Sequence, residues 1–117
     1  MTEKIYTTEI AVTAEQVESI ILNALESQST YWCRIDNTGP EWDKKPIEMT
    51  DSQFAVQRIM NGDGVTLCNI EGKKKAWKVN LQMVLEGIGL AITNGYEFAD
   101  YTDCVLQYAL FGKLVYE

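Results

Sequence analysis

Residues 26 to 37 read Glu26-Ser27-Gln28-Ser29-Thr30-Tyr31-Trp32-Cys33-Arg34-Ile35-Asp36-Asn37, and the run divides a helical pattern on one side from a polar loop on the other. Ser27 to Thr30 carry side chains that compete for backbone hydrogen bonds, so a helix entering from the N-terminal side stops or bends before Tyr31. Tyr31 to Ile35 then reads as a short strand or a continued turn. Upstream, Thr13 and Gln16 have capping-box spacing, and Val17, Ile20, Ile21, Ala24 and Leu25 follow at i, i+3, i+4, i+7 and i+8. This predicts a helix over residues 14–27. Before it, Tyr6, Thr8, Ile10 and Val12 alternate within Lys4 to Val12, the pattern of a strand.

Downstream, Asp36 to Pro46 contains both prolines of the chain and no periodicity, which marks a long surface loop. Thr50 and Gln53 repeat the capping box ahead of a helix over about 52–60 that ends at Asn61-Gly62. Val65 to Ile70 and Ala76 to Val79 are β-prone and flank Glu71-Gly72-Lys73-Lys74, a hairpin signal. Asn80 can cap a third helix that places Leu81, Val84, Leu85, Ile88 and Ile92 on one face. Gly87 and Gly89 within it cost about 1 kcal/mol each relative to alanine, which implies close packing of that helix against the sheet. Thr102 can cap a last helix, apolar nearly all round and therefore central. The expected fold is one α+β domain over residues 1–117, a small, largely antiparallel sheet of three or four strands packed on one side by about four helices.

Composition excludes more than it assigns. A chain of 117 residues with 46% hydrophobic and 23% charged residues is a globular composition, long enough to bury a core without staples. Its formal net charge of -7 repels nucleic-acid backbones and anionic membranes, which argues against duplex binding. No secretory leader is apparent and the apolar runs are too short to span a bilayer, so a cytoplasmic protein is expected. Cys33, Cys68 and Cys104 form no C-x-x-C pair and read as small buried hydrophobes in a reducing compartment. Histidine is absent, which removes every Ser-His, Cys-His and His-metal arrangement. Any catalysis would have to run on carboxylates, lysine, tyrosine or cysteine alone, as in an enzyme using Cys33 or a carboxylate pair, and no catalytic residue, metal or cofactor is expected.

Three motifs fail on spacing. Asn61-Gly62-Asp63-Gly64 begins like a calcium loop but has Thr66 where glycine is needed and Gly72 where glutamate is needed. Gly87-x-Gly89 lacks the third glycine of a dinucleotide fingerprint, and no P-loop is present. Two surface features remain. Lys73, Lys74 and Lys75 beside Trp77 combine charge with a stacking ring, a nucleotide-binding pattern, although lysines also guard sheet edges and strand alternation can make Trp77 a core residue. Trp42, with Arg34, Asp43 and Lys44, is the candidate partner-binding set, because tryptophan and arginine dominate binding hot spots and a loop can present them. Trp32 and Tyr108 are expected to be buried. Glu3, Glu9, Glu15, Glu18, Glu26, Glu86, Glu97, Asp100 and Asp103 read mostly as solvated helix faces that, gathered on one surface, would mimic phosphates towards a basic partner.

Ser29-Thr30-Tyr31-Trp32-Cys33 and Asp103-Cys104-Val105-Leu106-Gln107-Tyr108-Ala109-Leu110-Phe111-Gly112-Lys113-Leu114-Val115-Tyr116 resemble segments of a group of small uncharacterised proteins of phages and integrative conjugative elements. That group carries a Tyr-Trp-Cys segment after a first helix, a central hairpin and helix, and a terminal Gln-Tyr-Ala-Leu-Phe-Gly stretch. The resemblance covers most of the chain and implies a setting without assigning a catalytic residue. Small acidic proteins of mobile elements often inhibit host defence, which implies a non-enzymatic, anti-CRISPR-like protein acting on a host protein such as a defence nuclease or its complex. The alternative is a binder that sequesters a nucleotide signal. A homodimer is compatible with either.

Overall fold

Thr13 opens the first helix as its spacing requires: the hydroxyl accepts from the Gln16 amide at 3.1 Å, and the Gln16 side chain accepts from the Thr13 amide at 2.9 Å. The computed structural model describes residues 11–71 and 75–116 and places this helix, α1, at Ala14–Asn23, with Val17, Ile20 and Ile21 buried. The apolar stripe continues, but the winding changes. Ala24–Gln28 form a π-helical turn, in which the Ser29 amide donates to the Ala24 carbonyl five residues back at 2.8 Å. The expected helix to residue 27 therefore ends wider than an α-helix and feeds strand β1 at Cys33–Ile35.

The expected strand over Lys4 to Val12 falls almost wholly outside the described residues, and Ala11 and Val12 are not in a strand. Pro40–Lys44 form a short 3-10 helix inside the segment read as an irregular loop. Helix α2 spans Asp51–Met60 behind a second complete capping box at Thr50 and Gln53. Strands β2 (Val65–Asn69) and β3 (Ala76–Val79) follow, then α3 (Leu81–Thr93) and α4 (Thr102–Phe111). The described residues thus hold four α-helices and one three-stranded sheet, an α+β fold.

The sheet is antiparallel in the order β1-β2-β3, with Ile35 opposite Leu67 and Leu67 opposite Trp77. Alternation sends Cys33, Leu67 and Val79 inward, while Arg34, Ala76 and Lys78 are exposed on the other face. Helix α4 is central, as its composition predicts, because it touches α1, α3, β3 and the π turn. Its expected cap is not used as one. Tyr101 stands at the N-cap, and Thr102, 1% exposed, instead donates its hydroxyl to Asn23 Oδ1 at 2.7 Å, tying α4 to the end of α1.

Gly87 packs against α4 and not against the sheet as its position had suggested. A Cβ there would collide with the Val105 carbonyl oxygen and lie 2.9 Å from the Ala109 amide nitrogen, whereas a Cβ at Gly89 meets nothing within 4 Å. The two glycines should therefore respond oppositely. Gly87→Ala is expected to cost about 2 kcal/mol by forcing two helix backbones apart. Gly89→Ala should gain about 0.5–1 kcal/mol from the reduced freedom of the unfolded chain. Urea denaturation of both variants measures this, and equal midpoints would contradict the packing.

Candidate functional site

The segments 29–33 and 103–116 meet around the first turn of α4. The π turn ends at Ser29, and a tight turn, in which the Trp32 and Cys33 amides both donate to the Ser29 carbonyl, brings Ser29, Tyr31 and Trp32 to one carboxylate. That carboxylate is Asp103. Its Oδ1 accepts from Ser29 Oγ and from Trp32 Nε1, each at 2.7 Å. Its Oδ2 accepts from the Tyr31 hydroxyl at 2.7 Å and from Gln107 Nε2 at 3.0 Å. Among the described residues all four donors are neutral and no ion pair reaches Asp103.

Gln107 lies one helical turn beyond Asp103 and is 1% exposed. Its Oε1 accepts from the Val115 and Tyr116 amides at 2.7 and 2.8 Å, and its Nε2 also donates to the Tyr116 carbonyl at 3.0 Å. One buried amide thus treats the C-terminal segment as a strand partner. Gly112 supplies the reversal after α4 with φ at 72°. The returning segment stacks Tyr116 on Trp32, with ring centroids 4.7 Å apart and planes 10° apart. Trp32, 2% exposed, also touches Trp77 and Phe111. Among the described residues no buried side-chain polar atom lacks a partner, so the cluster satisfies the demand that buried polar groups be paired.

The cluster supports an exposed patch. Tyr31 is 44% exposed, Leu114 39% and Val115 48%, and they flank a shallow depression of about 360 Å³ floored by Asp103, Cys104 and Gln107. Burial, then the hydrogen bond to Asp103 and the charge of that carboxylate, raise the Tyr31 phenol far above its ordinary 10.0. It is therefore a neutral donor with a fixed ring. Asp103 has each oxygen doubly bonded by the protein itself, an arrangement suited to holding structure and surface shape.

The cysteines follow the same logic. Cys33 and Cys68 are buried and Cys104 is half-buried. Burial first, then the Asp103 charge and Cys68, push the Cys33 thiol from 9.0 up to about 12, and burial also raises Cys104. A thiol held neutral is a poor nucleophile. Because the folded state keeps this proton more tightly, its contribution to stability is complete below about pH 9 and is lost as pH rises towards about 12. Cys33→Ala should make the fall of stability above about pH 9 shallower, by up to about 1.4 kcal/mol per pH unit. Urea titrations across this range measure the slope, and identical slopes would contradict it.

The residues singled out by sequence lie elsewhere. Trp42 is not presented to solvent. It is 8% exposed and packs on Phe54 of α2, with centroids 5.0 Å apart, because the 3-10 helix turns it inward while Asp43 and Lys44 stay exposed. Arg34 is exposed on β1, and among the described residues no hydrogen bond or ion pair joins it to the other three. Trp77 is half-buried, its ring meeting Trp32 and Phe111 at 66° and 85°, so the core reading of its alternation holds. Lys75 is exposed, and Lys73 and Lys74 lie outside the described residues. Tyr31, Asp103 and Gln107 were missed as a set, although two hydrogen-bonding residues at i and i+4 in an otherwise apolar helix were a signal. Among the described residues no group of three acidic or thiol side chains is placed to hold a metal, and no helix is long and apolar enough to cross a membrane. No protein-family model, curated protein or solved structure matches this chain.

Proposed function

We propose that the chain is a non-enzymatic binding protein of a phage or mobile genetic element, working in the host cytoplasm as an anti-CRISPR-like inhibitor of a host-defence protein. The observation that carries the binding reading is the Tyr31, Leu114 and Val115 patch. Its ring and aliphatic side chains are exposed, and the polar groups beneath them are spent on one another. An aromatic residue whose hydroxyl is already pinned loses little freedom when it docks, which is the property of a binding hot spot. The setting rests on the resemblance, whose two segments are the same residues that build this patch.

Co-purification from lysate of a host carrying a defence nuclease tests it. Retention of a nuclease-complex component is expected, and Tyr31→Ala and Val115→Glu should each weaken it by about 2 kcal/mol or more while the protein stays folded. Failure to retain any defence component, or retention indifferent to both substitutions, would overturn the proposal. The nucleotide reading is the weaker one, since the Trp77 ring is engaged by Trp32 and Phe111 and offers little of itself to a base. Titration with cyclic and linear nucleotides, followed by tryptophan fluorescence, decides it, and silence at millimolar ligand removes it.

A further inference from the structure

We infer that the groove between α1 and α2 is a docking site for a basic amphipathic helix of a protein partner. This surface is separate from the Tyr31 patch, and the inference does not depend on that patch. The groove has a volume of about 720 Å³ and two helical walls. Each wall uses positions i, i+3, i+4 and i+7 of its helix, from Glu15 to Leu22 on one side and from Gln53 to Met60 on the other. Two such stripes, each about two turns long, wall the groove with residues at helical spacing, the spacing at which a third helix presents its own anchors.

The lining specifies the occupant. Leu22 and Met60, both half-buried, pack on the core from one side and line the groove with the other, and Val56, 9% exposed, lies at its floor. Methionine beside branched aliphatics is an adaptable surface for apolar anchors. Glu15 and Glu18 stand on one wall, both exposed, and among the described residues neither makes an ion pair. No basic residue lines the groove. The helix N-terminus gives Glu15 a structural use, but like charges at i and i+3 repel, so Glu18 beside it weakens the helix locally. A partner helix with apolar anchors facing Leu22, Val56 and Met60, and lysine or arginine along the flank facing Glu15 and Glu18, satisfies both features. The net charge of -7 would speed its approach.

The probe is a fluorescently labelled leucine–lysine peptide with leucines at i, i+3, i+4 and i+7, titrated into the full chain. A peptide of the same composition with the helical stripe scrambled is the control. Saturable binding of the first alone is expected, with a shift of the Met60 methyl resonance. Glu15→Gln with Glu18→Gln should weaken it about tenfold, while Glu48→Gln with Glu97→Gln, an equal charge change away from the groove, should leave it within about twofold. All four positions are exposed, so folding survives the changes. Equal weakening by both pairs, or equal binding of the scrambled peptide, would reduce the effect to bulk charge and overturn the inference. Absence of saturable binding also overturns it. Self-association of the free chain that the Glu15 and Glu18 changes abolish would instead assign the groove to a second copy.

Discussion

Trp32→Ala is expected to lower the unfolding free energy by about 3–5 kcal/mol, a large share of the roughly 5–15 kcal/mol that holds a domain of this size together. The indole is 2% exposed and stacks on Tyr116, while Trp77 and Phe111 close on it at 5.7 Å each. Truncation therefore opens a cavity shared by β3, α4 and the C-terminal segment, and no single side chain can collapse into it. It also removes the Nε1 donor from Asp103. Trp42→Ala should cost less, about 2–3 kcal/mol, because the short 3-10 helix that carries Trp42 can close part of the space over Phe54. Urea denaturation at constant m-value compares the two. A loss below about 1 kcal/mol for Trp32→Ala would remove the aromatic cluster from its central place.

What was legible in the sequence is what lies within about four residues along the chain. Both capping boxes close as their spacing requires, at Thr13 with Gln16 and at Thr50 with Gln53, and Asn80 Oδ1 accepts from the Met83 amide at 2.9 Å. Those bonds join residues three apart, so sequence spacing and geometry are nearly the same statement. The hairpin strands and the buried stripe of α1 were readable for the same reason. The Asp103 network was not. Ser29, Tyr31 and Trp32 lie more than 70 residues from it in sequence, and no local pattern relates them. Thr102 was misread because a threonine ahead of an apolar run suits an N-cap as well as it suits a buried hydroxyl with a distant partner. Trp42 was misread because one inward turn of 3-10 helix has no period to detect, and its charged neighbours resemble those of a loop tip. Gly39-Pro40, which opens that turn with proline in its first position, was the available clue.

Asp103→Ala should rank next to Trp32→Ala, with an expected cost of about 3–4 kcal/mol, although it removes almost no apolar surface. Ser29 is fully buried and Trp32 nearly so, and each loses its hydrogen-bond acceptor, at about 1–3 kcal/mol for each donor stranded away from water. Tyr31 loses less, because the residue is half exposed and its hydroxyl still accepts from Gln107 Nε2 at 3.3 Å, and Gln107 keeps the Tyr116 carbonyl. Asp103→Asn should be milder, at about 1–2 kcal/mol. Its oxygen can still accept from Ser29 and Trp32, and its new amide donor can meet the Tyr31 hydroxyl turned to accept, with only Gln107 Nε2 left in conflict. Denaturant unfolding of both variants, with Ser29→Ala alone and combined, isolates the shared bond as a coupling energy. A strong coupling and the order alanine worse than asparagine are expected. If asparagine proves as costly as alanine, the negative charge and not the count of acceptors holds Ser29, Tyr31, Trp32 and Gln107 together. Loss below about 1 kcal/mol for both would mean that water entering the depression beside Tyr31 replaces the carboxylate, leaving the patch above it without the rigid support that binding requires.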